Sequence, residues 1–560
     1  MKLHKSMLLV VVLALLLTGV LFAAAACGGG GKATTTVSSE TVTTVAIPQG
    51  GTLNVYINEP VAIEVLDLEE SEGVQVGQAL FDSLATFDFI TSKIKPAAAD
   101  SWDINTDATV FTFHLNKNDK FSDGTPVTAK DFIYAWNRLV NPANKSNVSY
   151  HLEPVKGYDE VQAGTATALT GLKAIDDYTL EVDLKYSFAD FVYVVGHPTL
   201  GPVPQATLEK MGAAAYAEAP VGNGPFMMAP GTKWEHDQSI QLVKNPNYYG
   251  AKSNIDGIDF KIFKDPETAF LEFQAGNLDF TQIPTGQIQA TKTKYGAADD
   301  GYTGNPQKQT LLGPELSIYY LDINTTGDLL KNPDLRQAIS LAINRQAICD
   351  TIMEGTRLPS DSIIPPGIVG YEAGAWQYSK YDVEAAKAAL AKAGYPGGQG
   401  LPQLTLSCNS GGSHEAIMTA VQADLKAVGI NVKTDLTEWA AYLPKLQNHQ
   451  YDIGRIGWQA DYPIIDNFLY PIFFSTSTNN YSGYNNPAVD KAILAARSIT
   501  DETARVAAYQ KIVKQIGDDA PCIPIMAYRH ARVTSDKVHN LVYSPIGLLD
   551  FQTCWLDAAK

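Results

Sequence analysis

The chain has 560 residues, 45% hydrophobic and 18% charged, with 44 Gly, 30 Pro and 27 Tyr; that length exceeds what one core supports, and that composition excludes a small module or a mostly disordered chain. Its 60 acidic against 42 basic residues leave a formal net charge of -18, which repels nucleic acid and excludes it as a natural partner. The same excess mildly favours cationic ligands, although it chiefly reports solubility.

Lys2 and Lys5 precede the apolar run "MLLVVVLALLLTGVLFAAAA", which ends at Cys27 and "GGGG". A basic start, an apolar stretch and small residues before a break describe an export signal. Ala24, Ala25 and Ala26 ahead of Cys27 resemble the bacterial lipobox, in which the Cys is lipidated and becomes the new N-terminus; Ala24 stands where Leu is usual. The run is also long enough to span a bilayer, so a retained membrane anchor is the alternative. Either way the bulk of the chain is expected outside the cytoplasm. The Gly-, Thr- and Ser-rich stretch that follows, 27–49, reads as a flexible tether.

Beyond the tether, strand-like and helix-like segments alternate, which predicts a mixed α/β protein. "TVFTFHLN" alternates apolar and polar residues as a half-buried strand, and "SDGTP" is a turn signal. "TAKDFIYAWNRLV" predicts a helix with Thr128 as N-cap and Phe132, Trp136 and Leu139 on one core-facing side. "NPDLRQAISLAIN" and "DVEAAKAALAKAGY" are further helices, the second capped by Asp382 and stopped by Gly394. In "SHEAIMTAVQADLKAVGINVKTDL", Ile417, Val421, Leu425 and Val428 recur at helical spacing, and Gly429 turns the chain into a strand. "YDIGRIGW" is another strand, so Asp461 falls just past a strand end, where open α/β sheets present ligand sites. On spacing alone Asp461 also suits an N-cap for "YPIIDNFLY".

No nucleophile elbow, phosphate loop, zinc pair or paired catalytic carboxylate has the context it requires. His236, His414, His449, His530 and His539 are scattered without helical pairing, so no metal site and no cofactor is expected. Cys349, Cys408, Cys522 and Cys554 permit two disulfides or four lone thiols, and their spacing assigns no pairing. A binder is expected rather than an enzyme.

Taken in order, "KFSDGTPVTAKDFIYAWNRLVNP", "GNGPFMM", "VKNPNYYG", "FLEFQAGNLDF", "DLRQAISLAINRQAI", "AKAALAKAGY" and "RIGWQADYP" resemble the extracellular solute-binding protein family 5 of ABC importers, above all its oligopeptide-binding members. The phrases cover nearly all of residues 50 to 530. The resemblance implies a periplasmic-binding-protein-like type II fold, with two α/β lobes joined by a hinge and an extra domain inserted in the first. The implied division is a signal at 1–26, tether 27–49, first lobe 50–84, insertion 85–210, first lobe again 211–312, second lobe 313–529 and a return to the first lobe over 530–560.

Membership implies capture of a solute and delivery to a membrane permease, by a monomer, without fixing the solute. In oligopeptide-binding relatives an Asp matching Asp461 faces the ligand's ammonium. An Arg matching Arg455 and a His near His414 hold the carboxylate of short peptides, and an Arg fork suits that geometry. The peptide backbone lies between two protein strands, which here match Gly457, Trp458 and Gln459 on one side and Glu72, Gly73 and Val74 in "ESEGVQVG" on the other. Trp439 and Trp458 match aromatics lining the side-chain pockets. An oligosaccharide ligand is the alternative within the family, and a surface peptidase the alternative outside it.

Overall fold

The computed structural model describes residues 47–557 apart from 285, 411–412 and 478, with the side chains of 439 and 440 excluded. The signal, the tether and Cys27 lie outside the described residues. Among the described residues no helix is long and apolar enough to cross a membrane.

Three larger sheets organise the chain. The first has seven strands in the order Thr310–Leu311, Arg532–Thr534, Phe280–Gln282, Thr52–Ile57, Gly257–Ile262, Ser239–Lys244 and Phe226–Met228. Thr52–Ile57 pairs in parallel with Gly257–Ile262, Val55 opposite Phe260. Between the first of these strands and the return at Phe226–Met228 the chain builds a four-stranded antiparallel sheet, ordered Ala99–Ile104, Val110–Leu115, Thr179–Asp183 and Leu172–Asp176. The strand expected from "TVFTFHLN" is its second member, with the buried-to-part-buried alternation its sequence dictates. The helix Ala129–Val140 packs here, with Phe132, Trp136 and Leu139 buried and the Asp131 carboxylate accepting from both the backbone N–H and the hydroxyl of Thr128.

The third sheet has six strands: Arg357–Pro359, Cys522–Arg529, Pro314–Ile323, Ile453–Gln459, Leu404–Asn409 and Val432–Thr437. Pro314–Ile323 lies at its centre and is covered on both faces. Tyr319, Leu321 and Ile323 enter one apolar cluster, and Leu316, Ile318 and Tyr320 the other, which is why Ile318 to Leu321 read as an uninterrupted apolar stretch rather than an alternating one. The helix His414–Ala427 covers the first face with Ile417, Val421 and Leu425. Gly429 takes a φ of +98°, and the chain then enters the strand Val432–Thr437 in parallel with Leu404–Asn409. All four described cysteines are buried and free.

The chain passes between the seven-stranded and six-stranded sheets at 312–313 and again at 530–531. The two crossings touch: the His530 N–H donates to the Gly313 carbonyl at 3.0 Å, and the Gly313 N–H lies 3.0 Å from His530 Nε2. Paired short crossings of this kind let two lobes rotate about one axis.

Candidate functional site

The strand Ile453–Gln459 is bonded throughout to Pro314–Ile323, from Ile323 opposite Ile453 to Ser317 opposite Gln459. On its other side, Leu404–Asn409 reaches only Ile453 and Gly454. The Ala460 N–H donates to the Leu316 carbonyl, so by alternation Trp458 and Ile456 also turn their main chain inward, while Arg455, Gly457 and Gln459 turn theirs outward. The Tyr442 hydroxyl donates to the Arg455 carbonyl at 2.7 Å. The outward main-chain groups of Gly457 and Gln459 have no strand partner among the described residues. That is an open sheet edge two residues long, ending just before Asp461.

Asp461 is not a helix cap. The next helix, Asp466–Phe473, starts five residues on, and Asn467 in its first turn clasps Asp461 instead. The Asn467 Nδ2 donates to the Asp461 carboxylate at 3.0 Å, and the Asp461 N–H donates to Asn467 Oδ1 at 3.1 Å. The same Oδ1 accepts from Trp458 Nε1 at 3.1 Å, so one amide orients both the aromatic ring and the carboxylate. Across the cleft the Tyr150 hydroxyl donates to Asp461 at 3.4 Å. Burial pushes the Asp461 carboxyl above the ordinary carboxylate range, and the bonds from Asn467 and Tyr150 only partly oppose this. No cationic side chain is paired with it among the described residues. A part-buried carboxylate without a counter-cation is costly unless a ligand supplies the positive charge.

Two cavities meet at Asp461, Tyr150 and His151. One, about 360 Å³, runs between Gln459 and the residues Glu72 and Val74. The other, about 380 Å³, lies on the far side, against Trp458 and Tyr470. The expectation of a second protein strand at Glu72, Gly73 and Val74 is corrected here: these residues form the first turn of the helix Ser71–Leu80. The Glu70 carboxylate caps that turn by accepting from the Gly73 N–H at 2.9 Å, and the Glu70 carbonyl takes the Val74 N–H. A cap satisfied this way outcompetes strand pairing for the same donors. Glu72 is held by the Asn58 amide at 2.8 Å.

Arg455 and His414 come together at the other end of the edge strand, around Tyr319. The Arg455 guanidinium lies 4.7 Å from the Tyr319 ring centre and donates to Asn409 at 3.1 Å and to Tyr528 at 3.4 Å, while its buried Nε has no partner. His414 Nδ1 is 3.4 Å from the Tyr319 hydroxyl. Burial, and then the Arg455 charge, lower the His414 imidazole to about 4, so it is neutral at pH 7. Neither residue lines the two cavities at Asp461. A Cβ placed on Gly457 would sit 4.0 Å from Arg455 Nη2, so the guanidinium leans along the edge toward Gly457. The Trp439 side chain lies outside the described residues. Tyr150 carries no local signal in the sequence, because it sits 311 positions from Asp461 in a short 3-10 turn, Ser149–Leu152, with no motif around it.

An open strand edge thus has a carboxylate without counter-charge at one end and a guanidinium toward the other. Comparison with known proteins places the chain among solute-binding proteins. The family model for bacterial extracellular solute-binding proteins, family 5 Middle, matches residues 93–480, and the chain belongs to that family, whose members are solute-binding transport proteins rather than enzymes. Among curated relatives, the periplasmic oligopeptide-binding protein OppA of Escherichia coli (strain K12) is 31% identical over 512 residues, 88% of this chain and 91% of that one. Among solved structures, the unliganded open form of the periplasmic murein tripeptide binding protein MppA superimposes with a TM-score of 0.80 at 26% identity, covering 91% of this chain and 98% of that one. The Haemophilus influenzae OppA complex with RPPGFSPFR gives 0.67 at 28% identity, covering 91% and 99%. The fold is accordingly that of the type II periplasmic binding proteins.

Proposed function

We propose that this protein is the substrate-binding lipoprotein of an ABC importer, anchored outside the cell membrane through a lipid on Cys27, and that it captures oligopeptides and hands them to a membrane permease. The observation that carries the reading is the position of Asp461: a carboxylate lacking a counter-cation, at the junction of two cavities and at the head of an unpaired strand edge. The ligand's α-ammonium supplies the missing charge. Its backbone adds to the edge at Gln459 and Gly457 through main-chain bonds that carry no sequence preference. The carboxylate of a short ligand reaches Arg455, with neutral His414 as a hydrogen-bonding neighbour. Glu72 and Val74 close the other wall as the first turn of a helix.

Calorimetry with a short unblocked peptide and its N-acetylated form tests this. The expected result is loss of at least tenfold in affinity on acetylation. Equal affinities would favour a ligand without an amine, such as an oligosaccharide, and appearance of cleaved peptide in the same sample would favour a peptidase.

A further inference from the structure

We propose that a water-wide passage runs from the ligand cleft, along the helix Ser71–Leu80, to the far side of the lobe that carries that helix, and that water leaves and enters the closed cleft through it. The inference goes beyond the peptide reading, since it holds for any solute on which the cleft shuts.

Three cavities lie along the helix. The first is the one between Gln459 and Glu72, about 360 Å³. The second is a neck of about 30 Å³, and the third, about 340 Å³, reaches Lys95, Tyr249 and Gln552. The same segments wall all three in chain order, which puts them in series. On the helix, Ser71 and Val74 line the first cavity, and Gln78 lines the second and third. Spacings of three and four residues set these side chains on one side of the helix, whose 10 residues measure about 15 Å. Asp82, just past the helix end, again lines the second and third. The opposite wall is the segment 546–552, where Ile546 and Leu548 border the first two cavities and Asp550 and Gln552 the third. Phe87 spans the first junction and Phe89 the second.

The neck has room for about one or two waters and none for a peptide side chain. Water stays in so small a space only where polar groups meet it, and an apolar neck of the same width would be dry. Here the lining offers acceptors. Gln78 Oε1 is buried without a hydrogen-bond partner. Ser83 gives its hydroxyl proton to the Val195 carbonyl at 2.6 Å and can still accept one. The Tyr248 and Tyr249 hydroxyls both donate to Oδ2 of Asp82, at 3.0 Å and 2.7 Å, so its Oδ1 has no protein donor among the described residues. Water supplies the donors that the protein withholds.

Such an outlet suits a cleft that shuts on solutes of different bulk. The smaller the solute, the more water must remain beside it, and trapping the wrong amount costs affinity. Through the passage that amount adjusts after closure, without the lobes parting.

Magnetic relaxation dispersion of water oxygen, on the intact protein saturated with trialanine, gives the residence time of water in the shut cleft. In the parent chain this water is expected to exchange at least tenfold faster than trialanine dissociates. Thr86→Trp places a ring where the second and third cavities join, and Gln78→Leu takes away the unpartnered acceptor. Each is expected to lengthen the residence time at least tenfold while changing trialanine affinity less than threefold. The second replaces an oxygen that bonds to nothing, so it costs the fold little and keeps the test decisive should the first fail to fold. Exchange no faster than dissociation, or a residence time unaltered in either folded variant, would overturn the passage. If trialanine does not bind, the peptide reading is wrong, and a high-resolution crystal structure of the ligand-free protein decides the passage alone: a row of waters from Val74 to Asp82, one of them bonded to Gln78 Oε1, is expected, and a dry neck would overturn it.

Discussion

Tyr150 donates a 3.4 Å hydrogen bond to Asp461 across the interlobe cleft, joining two residues 311 positions apart. The phenol comes from the segment that precedes the return to the first lobe, and the carboxylate from the end of a strand in the second. The contact sits where both cavities meet, and both residues line each of them.

Asp461→Ala should weaken peptide binding roughly thirty-fold or more. Removing one member of a desolvated charge pair costs about 2 to 5 kcal/mol, and each 1.4 kcal/mol is about tenfold. Titration calorimetry with a short peptide reads this, and unchanged affinity defeats the assignment. Asp461→Asn keeps the shape and should behave similarly toward ligand while raising the melting temperature of the free protein at pH 7, because the ionised carboxylate it replaces is disfavoured by burial.

Peptide affinity should fall in acid. Burial holds the carboxyl of Asp461 above its ordinary range in the free protein, and an ammonium partner favours the ionised form and brings it down again. Between those two values binding must release a proton, so affinity drops by up to about tenfold per pH unit on acidification. Calorimetry in buffers of different ionisation enthalpy detects that proton, and the effect should vanish in Asp461→Asn.

Arg455→Ala should discriminate by ligand length. Arg455 leans toward Gly457, and four residues of strand at about 3.3 Å each put the guanidinium about 13 Å from Asp461, which an extended peptide of about four residues spans. Tri- and tetrapeptides should lose at least tenfold, whereas peptides of seven or more residues should change less than threefold. A uniform loss at all lengths would place Arg455 elsewhere in the mechanism.

Gln459→Pro should weaken every peptide alike. The Gln459 N–H points away from Pro314–Ile323 and has no strand partner, so a proline there removes a donor to the ligand but none to the fold. A loss of about tenfold, independent of side chains, is expected by equilibrium binding, with the melting temperature shifted by only a few degrees.

His530 should make the crossings acid-sensitive. Burial lowers its imidazole to about 3, against about 6.5 when unfolded. Above pH 6.5 both states are neutral and nothing is lost; below it the unfolded state takes up the proton, and stability falls by up to about 1.4 kcal/mol per pH unit until about pH 3. Thermal unfolding from pH 7 to 4 should be less steep for His530→Gln than for the parent chain.

The helices and strands were legible because their signals are local. The Thr128 start, the Asp382 cap and the turn at Gly429 appear where their residues call for them. At Glu72 the resemblance implies a strand and the structure has a helix, for an equally local reason: Glu70 caps it, and a cap three residues before Gly73 decides helix over strand. Asp461 could be singled out as a carboxylate past a strand end, but its two sequence readings, cap or ligand group, differ only in what stands opposite it.

The periodicities, the turns and the carboxylate after "RIGWQA" follow from the sequence because each is written within a few residues of chain, and the family follows from the order of short phrases along it. That Asn467 orients that carboxylate, that Tyr150 faces it, and that the strand beside it has an open edge emerge from the folded chain alone. Those facts depend on which distant segments share a surface, and burial, pairing and unmet charge are properties of that surface rather than of any stretch of residues.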